Sequence, residues 1–204
     1  MSSERRKAFE VIVQEAAICR ICPNLVDKTA VLSDLNGSLT PKVFFIGEAP
    51  GRVGADRTRR PFYGDKSGQN FQTLLDSIGL SRDDIFITSA VMCGPRSATD
   101  ANRRPTRTEI KNCSAYLSRV LGLIDPPVVA TLGNVALEAL KLIQYHEFTL
   151  REHAGTMQAW NGRALVPLYH PSPQVIASQR GLETQLAHFG ILSIATGKVL
   201  RKVG

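Results

Sequence analysis

The stretch of sequence that decides the fold reads Pro41-Lys42-Val43-Phe44-Phe45-Ile46-Gly47-Glu48-Ala49-Pro50-Gly51. Its apolar part, residues 43–46, is a short uninterrupted run that lies between Pro41 and Gly47. Such a run predicts a buried strand, because proline and glycine end regular structure and no polar residue marks a solvent face. The predicted strand therefore ends at a glycine-bounded turn that carries one carboxylate, Glu48.

Strands and helices alternate along the rest of the chain. Further apolar runs predict strands at residues 84–88, 128–133 and 164–169, and mixed or amphipathic stretches predict helices at 3–18, 67–78, 106–120, 134–142 and 182–199. Thr106 and Glu109 form a Thr-x-x-Glu capping box at the start of one of these helices. The alternation predicts the α/β class, a three-layer α/β/α single domain with a central four-stranded parallel sheet. We expect this domain to cover residues 1–204, with the segment 1–40 packing on it.

The composition is that of a globular protein with a basic surface. The 204 residues include 25 Lys and Arg against 18 Asp and Glu, which gives a formal charge of +7. No apolar run reaches the roughly 20 residues of a membrane helix, and no apolar stretch of the signal-peptide kind follows the N-terminus. We expect a cytoplasmic protein whose positive charge indicates a polyanionic partner without identifying it.

The residues that could take part in binding or catalysis collect at one edge of the predicted sheet. In a parallel sheet with helices on both faces, ligands bind beyond the carboxyl ends of the strands. Those ends carry Gly47-Glu48-Ala49-Pro50-Gly51, Ser89-Ala90, Gly133-Asn134 and His170-Pro171-Ser172. The sequence therefore predicts a site that combines a carboxylate, an imidazole and a hydroxyl.

The loop after the first strand, residues 47–68, combines glycines, arginines and adjacent aromatic residues. Glycines let the backbone approach a ligand closely, and the arginines Arg52, Arg57, Arg59 and Arg60 could contact phosphates. Phe62 or Tyr63 could stack on a base. The alternative is a solvated basic loop whose aromatic side chain packs into the core. The glycine spacing differs from that of a Walker A loop.

The four cysteines form a pair, Cys19 and Cys22, and two further residues, Cys93 and Cys113. The Cys-x-x-Cys spacing places two thiolates on one side of a turn, and two more complete a four-sulfur set for zinc or an iron–sulfur cluster. Buried structural thiols are the alternative. The basic segment 96–107 lies between Cys93 and Cys113, and its arginines would face the backbone of a nucleic acid. These arginines are Arg96, Arg103, Arg104 and Arg107.

Taken together, these motifs resemble the uracil-DNA glycosylase superfamily, in particular its iron–sulfur-containing families 4 and 5. The resemblance runs from about Cys19 to the final helix. The motifs that carry it are Gly47-Glu48-Ala49-Pro50-Gly51, Arg60-Pro61-Phe62-Tyr63-Gly64, Ser67-Gly68, His170-Pro171-Ser172 and the four cysteines. It implies a uracil-DNA glycosylase-like fold and a structural 4Fe-4S cluster held by the cysteines.

The details combine the two families. Gly47-Glu48-Ala49-Pro50-Gly51 has the family 4 form, whereas Gly54-Ala55-Asp56-Arg57-Thr58 and His170-Pro171-Ser172-Pro173 resemble family 5. Both families usually place Thr-Asn after the second strand, where the Asn is expected to bond the uracil edge, and this chain has Thr88-Ser89. A serine hydroxyl cannot offer the paired donor and acceptor of an amide. We therefore expect a broader or shifted range of deaminated bases, such as hypoxanthine or xanthine.

The resemblance implies a monofunctional DNA repair enzyme that hydrolyses the N-glycosidic bond of uracil in DNA after flipping the base out of the stack. The implied catalytic residues are Glu48, which activates water, and His170, which bonds the departing base. The implied substrate-binding residues are Gly47, Ala49, Pro50, Gly51, Phe62, Asp65, Ser89 and Asn134. The implied DNA contacts are Arg57, Arg60, Ser172 and Gln174.

Two other functions stay open from the sequence. The first is a non-catalytic DNA-binding module with a structural metal cluster, which the serine at position 89 favours. The second is a protein of another class that depends on cysteine-bound zinc. For the glycosylase we expect a monomer acting near the nucleoid on DNA that contains deaminated bases, with a sliding clamp as a conceivable partner.

Overall fold

The computed structural model describes residues 3–178 and 180–197. The strands are β1 (Val43–Gly47), β2 (Ile85–Ser89), β3 (Val128–Leu132), β4 (Gln158–Trp160) and β5 (Arg163–Leu168). The helices are α1 (Ser3–Ala17), α2 (Ala55–Thr58), α3 (Lys66–Asp76), α4 (Arg107–Ile124), α5 (Asn134–Leu140), α6 (Leu150–His153), α7 (Pro173–Ile176) and α8 (Leu182–Ala195). Short 3-10 turns cover Pro23–Leu25, Asp34–Asn36 and Arg82–Asp84.

The sheet has the order β2-β1-β3-β5-β4. β1 pairs in parallel with β2 and β3, and β5 pairs in parallel with β3, so the predicted four-stranded parallel sheet is confirmed. From β1 the chain goes to β2 on one side and then to β3 on the other. The sheet therefore has a topological switch point beside the carboxyl end of β1, where such folds bind ligands.

The sequence analysis missed the edge strand β4, which pairs antiparallel with β5. β4 has only three residues and a mixed burial pattern, so it produces no apolar run. The signal that could have found it is Asn161-Gly162, because both residues have positive φ angles, 48° and 73°. Asn-Gly is the preferred pair for a two-residue hairpin turn.

Both faces of the sheet are buried, and alternate residues of β1 serve the two sides. Phe44 and Ile46 join the cluster that includes residues of α1, α4 and α5, whereas Val43 and Phe45 join residues of α3 and α8. Successive side chains of a strand point to opposite faces, which is why an uninterrupted apolar run was required here. Each such large side chain contributes about 1.5–3 kcal/mol on burial.

The predicted helices are present with shifted ends. The capping box is confirmed, since the Glu109 amide donates to Thr106 Oγ1 at 3.2 Å and the Thr106 amide donates to the Glu109 carboxylate at 2.8 Å. α8 ends at Ala195, and the last two residues predicted for it, 198 and 199, lie outside the described part of the chain. Within that part, no helix is both long enough and apolar enough to cross a membrane.

The N-terminal helix α1 packs against α4. The Tyr116 hydroxyl donates to the Glu15 carbonyl at 3.3 Å, and Arg119 pairs with the Glu15 carboxylate. Phe9 and Ile12 of α1 are buried in the same cluster as Leu117 and Val120 of α4. This packing brings the segment after α1, with its Cys-x-x-Cys pair, toward α4.

Candidate active site

A cavity of about 590 Å³ opens at the carboxyl ends of the strands. Loops after β1, β2 and β5 and the start of α3 form its wall, as the switch-point argument requires. The lining residues are Glu48, Ala49, Pro50, Gly51, Val53, Ala55, Pro61, Phe62, Asp65, Lys66, Ser67, Ser89, Pro95, Asn102, Arg103, His170, Ser172, Pro173, Gln174 and Val175. The volume is that of a small-molecule site.

Glu48 follows the last residue of β1, and the backbone holds it firmly. The Ala90 amide donates to the Gly47 carbonyl at 2.9 Å, and the Val91 amide donates to the Glu48 carbonyl at 3.1 Å. Within residues 3–178 and 180–197, the carboxylate makes no hydrogen bond or ion pair, although the charge of Arg104 acts on it. Burial raises the pKa of Glu48 above its ordinary value, and Arg104 only partly opposes this shift. The carboxylate is therefore free to accept a bond from a ligand or from water.

His170 follows β5 and lines the same cavity. Burial lowers its pKa to about 4, against the smaller opposing effect of Asp65. The imidazole is therefore neutral at pH 7, and one of its nitrogens carries a proton that it can donate. Neither nitrogen bonds another of the described residues. Asn70 in α3 fixes the loop, because its Nδ2 donates to the Pro171 carbonyl at 2.9 Å.

Phe62 places an aromatic ring beside His170, with 5.5 Å between the two ring centroids. Its φ angle is 48°, in the left-handed region that residues with a Cβ rarely adopt. Gly47 lies under the ring, since a Cβ at Gly47 would be 3.1 Å from Phe62 Cε2. Backbone strain of this kind accumulates at functional sites.

Ser89 is the last residue of β2, opposite Gly47 in the register of the sheet. Its hydroxyl lines the cavity and has no hydrogen-bond partner among the described residues. A buried or half-buried polar group without a partner gains a bond when a ligand enters. Glu48, Ser89 and His170 thus present three unpaired polar groups to one space.

Asp65 has a structural role that its sequence pattern did not reveal. It caps α3, and its Oδ1 accepts a bond from the Gly68 amide at 2.8 Å. A Cβ at Gly54 would overlap the Asp65 carboxylate, so only glycine allows this loop to close over the cap. The carboxylate caps α3 and packs against Gly54 of the loop after β1 while lining the cavity.

Comparison with known proteins identifies the family. The family model described as the uracil DNA glycosylase superfamily matches residues 36–189. This chain belongs to the uracil-DNA glycosylase superfamily. The match covers β1, β2, β3 and β5 and every residue that lines the cavity.

Relatives of two named types resemble this superfamily member. A type-4 uracil-DNA glycosylase of Thermotoga maritima is 30% identical over 82% of this chain and 83% of its own. A type-5 uracil-DNA glycosylase of Pyrobaculum aerophilum is 32% identical over 81% of this chain and 83% of its own. A type-4 uracil-DNA glycosylase of Saccharolobus solfataricus is 35% identical over 80% of this chain and 76% of its own. Both types occur among the relatives, as the mixed motifs suggested.

Not every predicted substrate residue of this superfamily member reaches the cavity. Asn134 is the first residue of α5, is exposed and does not line the cavity. It is not the cap of α5 either, since Gly133 occupies that position. Gly133 has a φ of 98° and lies against His170, with 3.5 Å between an ideal Cβ and the histidine Cβ. The turn at Gly133 therefore packs against His170, and Asn134 is exposed outside the cavity.

The arginines of the basic segment have mostly internal partners. Arg96 has a side chain only 7% exposed, pairs with Asp56 and donates to Asn102 Oδ1 at 2.7 Å. Arg103 donates to both oxygens of Glu109, at 2.8 and 2.6 Å. The prediction that Arg96 faces a phosphate backbone is wrong, because its side chain is buried and paired with Asp56, and this pair joins the loops after β1 and β2.

Three other arginines, which lie close to cavity-lining residues along the chain, are at least partly accessible. Arg57 and Arg104 are exposed, and the half-buried Arg60 lies over the Tyr63 ring at 4.8 Å from its centroid. Arg59 is different, since it donates to the carbonyls of Thr29 and Ala30 at 3.0 and 2.5 Å. Ser172 and Gln174 line the cavity at the start of α7.

All four cysteines line a second cavity, beside α4. The other lining residues are Ile21, Leu25, Val91, Asn112 and Tyr116. The Met92 amide donates to Cys113 Sγ at 3.3 Å, and Asn112 Nδ2 donates to Cys22 Sγ at 3.5 Å. Burial raises the pKa of the Cys113 thiol to about 12, and neighbouring thiolates act in the same direction. Thiolates in such a site need a positive centre to stabilise them.

The donor set fits an iron–sulfur cluster. Four soft thiolates are the ligands that such clusters use, and backbone amides commonly donate to their sulfurs. No three His, Cys, Asp or Glu side chains of residues 3–178 and 180–197 are arranged to hold a single metal ion. The four thiols that line one cavity match the ligand count of a four-sulfur metal group.

Two asparagines with a positioning role escaped the sequence analysis. Asn70 holds the histidine loop, and Asn102 accepts bonds from the Arg52 amide at 2.9 Å and from Arg96. Pro171, the partner of Asn70, and Arg52, one partner of Asn102, lie far away along the chain, so no local motif marks these contacts. Only the folded chain brings them together.

Proposed function

We propose that this protein is a monofunctional DNA glycosylase that hydrolyses the N-glycosidic bond of deoxyuridine in DNA. The observation that carries the proposal is the trio Glu48, Ser89 and His170, whose polar groups line one cavity without partners among the described residues. Unpaired polar groups in a partly buried site cost free energy until a ligand satisfies them. The relatives named as uracil-DNA glycosylases support uracil as that ligand.

The substrate enters as a single base that has been flipped out of the duplex, because stacked bases cannot reach the cavity. Phe62 stacks on the base, and the Ser89 hydroxyl bonds its polar edge. The backbone of the turn after β1 forms the floor. The residues proposed for this backbone surface are Ala49, Pro50 and Gly51, which line the cavity, and Gly47, which lies against the Phe62 ring.

Glu48 and His170 divide the chemistry. The bond between C1′ and the base nitrogen breaks with its electron pair leaving on the base, so positive charge builds on the sugar and negative charge on the base. Glu48 accepts a proton from the water whose oxygen bonds to C1′, and its negative charge stabilises the sugar cation. The neutral His170 donates a hydrogen bond to the base anion. The products are a free base and an abasic site.

Contacts with the DNA backbone come from the rim. We assign these contacts to Ser172 and Gln174, which line the cavity, and to Arg57 and Arg60, which are exposed and half-buried, respectively, in the loop after β1. Such contacts position the duplex without reading its sequence. One copy of the cavity holds Glu48, Ser89 and His170, which supports a monomer as the active form.

The proposal is tested with duplex and single-stranded oligonucleotides that each carry one uracil, hypoxanthine or xanthine. We expect alkali-labile abasic sites from the uracil strand and no covalent adduct when borohydride is present, since water is the nucleophile. A borohydride-trapped adduct would instead identify an amine nucleophile, for which Lys66 at the cavity rim is the candidate. DNA binding with no excision of any base would show a non-catalytic binding module.

Changing Ser89 to Asn is expected to narrow the substrate range. The amide offers a donor and an acceptor to the uracil edge where serine offers one hydroxyl, and one further hydrogen bond corresponds to a factor of about 3–10. The ratio of uracil excision to hypoxanthine and xanthine excision should therefore rise about tenfold. Single-turnover rates on the three oligonucleotides measure it, with a thymine strand as the control that both proteins leave intact. An unchanged ratio would mean that Ser89 does not contact the base.

We further propose that Cys19, Cys22, Cys93 and Cys113 hold a structural 4Fe-4S cluster. The shared cavity, the four thiols and the amide donors to sulfur support it. When bound, the cluster supplies the positive iron charge that keeps four neighbouring, half-buried thiolates ionised. A bound cluster would connect the segment after α1, the loop after β2, and α4. The four cysteines are separated along the chain from Glu48 and His170, the residues proposed for catalysis.

Replacing Cys113 with Ser is expected to remove the cluster and to lower the melting temperature by about 10 °C. Loss of a structural metal group costs several kcal/mol, and 1 kcal/mol corresponds to about 2–4 °C in a domain of this size. Iron content per chain, visible colour and a thermal scan measure the effect. The control is Ala115→Ser, which adds a hydroxyl at an exposed position of the same helix. Purified wild-type protein that is colourless and contains zinc would refute the iron–sulfur assignment.

A further inference from the structure

The unusual backbone of Phe62 has a specific partner, Arg82. This arginine lies in the 3-10 turn Arg82–Asp84 that precedes β2. Its Nη1 donates to the Pro61 carbonyl at 2.9 Å, and its Nη2 donates to the Phe62 carbonyl at 2.6 Å. One guanidinium thus donates hydrogen bonds to two successive backbone carbonyls, those of Pro61 and Phe62, where Phe62 adopts a φ of 48°.

Arg82 has no carboxylate partner among the described residues. Its remaining contacts are Gln72 Oε1, 3.3 Å from Nε, and the Phe71 ring, whose centroid is 5.2 Å from the guanidinium carbon. Burial lowers the pKa of Arg82 to about 10, and the charge of Arg60 acts in the same direction. The side chain is still protonated at pH 7. The positive charge of Arg82 is therefore balanced chiefly by the two backbone carbonyl dipoles, the side-chain amide of Gln72 and the face of the Phe71 ring.

Gly68 in α3 leaves the space in which the Phe62 carbonyl lies. A Cβ at Gly68 would lie 2.6 Å from the Phe62 carbonyl oxygen, so only glycine leaves room for the segment to lie against α3. The Phe62 ring then contacts Phe71, with centroids 4.9 Å apart, in addition to Gly47 and His170. The Arg82 guanidinium also lies over the Phe71 ring, so Phe71 contacts both the Phe62 ring and the arginine that bonds the Phe62 backbone.

We propose that Arg82 is a positioning residue that holds Phe62 in its left-handed conformation, with the ring beside His170, before a base enters. The inference rests on the proposed function, since it makes Arg82 act through the ring that stacks on the flipped base. A planar guanidinium can serve two carbonyls at once in a fixed fork, which an ammonium group cannot do. Without the hydrogen bonds from Arg82, Phe62 relaxes toward a negative φ, and its ring moves away from the position beside His170 at which the base stacks.

Arg82→Lys is the variant that tests the proposal, because it keeps the charge and the aliphatic stem. We expect the single-turnover rate of uracil excision to fall about 10–100-fold, the range in which a misplaced contact acts. The melting temperature and the affinity for undamaged DNA should stay close to those of the wild type. The matched control is Arg163→Lys at the opposite end of the sheet. Arg163 is also largely buried and donates to a carbonyl, that of Asn161 at 2.7 Å, and its replacement should leave excision unchanged.

A double-mutant cycle separates positioning from a general structural role. In a Phe62→Ala background the ring is absent, so Arg82→Lys should cause no further loss of rate. A merely structural role would give the same fold-loss in both backgrounds, and that result would overturn the proposal. So would an Arg82→Lys protein that excises uracil at the wild-type rate.

A crystal structure of Arg82→Lys decides the question independently of catalysis. We expect Phe62 with a negative φ and its ring displaced from His170. If Phe62 keeps its left-handed conformation and ring position, the inference about Arg82 is wrong even if the variant excises uracil more slowly. If the wild-type protein excises no base, the proposed function fails while this structural comparison still tests the role of Arg82.

Discussion

Changing Glu48 to Gln is expected to slow uracil excision by about 10²–10⁴-fold, the range in which a positioned acid or base contributes. Glutamine keeps the shape of the side chain but cannot take a proton from water or carry the negative charge that opposes the sugar cation. Because the Glu48 carboxylate bonds none of the other described residues, its replacement by an amide should leave the fold and DNA binding intact. Single-turnover excision on a uracil oligonucleotide and a gel-shift titration measure the two properties.

The pH profile gives a second readout of Glu48. The active form is the carboxylate, and burial raises its pKa above the ordinary value of 4.5. The excision rate of the wild type should therefore fall as the pH decreases through this raised value, and the Gln variant should lose that acid limb. Glu10→Gln, an exposed change in α1, is the matched control and should alter neither rate nor profile. A Glu48→Gln protein with normal rate would remove Glu48 from the mechanism.

Changing His170 to Ala is the second substitution with a large expected effect, a loss of about 10²–10³-fold in the rate of excision. That is the range measured when one donor to a developing anion is removed from a preorganised site. The His170 ring lies beside Phe62 and lines the cavity, so the variant loses the bond to the departing base together with part of the wall. Affinity for undamaged DNA should not change, because the contacts proposed for the backbone lie elsewhere on the rim.

The protonation state of His170 yields a sharper test. Burial lowers its pKa to about 4, so the imidazole is neutral well below pH 7 and donates a hydrogen bond without releasing a charge. The wild-type rate should be flat between about pH 6 and 8, whereas an imidazolium acid with an ordinary pKa would lose activity there as the pH rises. His153→Ala in α6, away from the cavity, serves as the control. An excision rate that declines as the pH rises through 6.5 would show that His170 acts as a charged imidazolium donor.

The location of the candidate site could be predicted from local patterns, whereas the details of its polar contacts could not. Glu48, Ser89 and His170 each follow an apolar run, and the carboxyl ends of parallel strands meet at one edge. The same reasoning placed Asn134 at the site, and the structure shows it exposed at the start of α5. Which way a side chain points after a strand depends on the following turn, here the positive φ of Gly133.

The sequence by itself determined the α/β class, the parallel strands, the capped helix α4 and the family, because these depend on residue spacing and on short motifs. Only the tertiary structure decided that Arg96 pairs with Asp56, that Asn70 holds the histidine loop and that Arg82 grips the backbone at Phe62. An arginine or asparagine side chain can bond any acceptor within its reach. Folding alone chooses the partner, since the paired residues lie 20 or more positions apart.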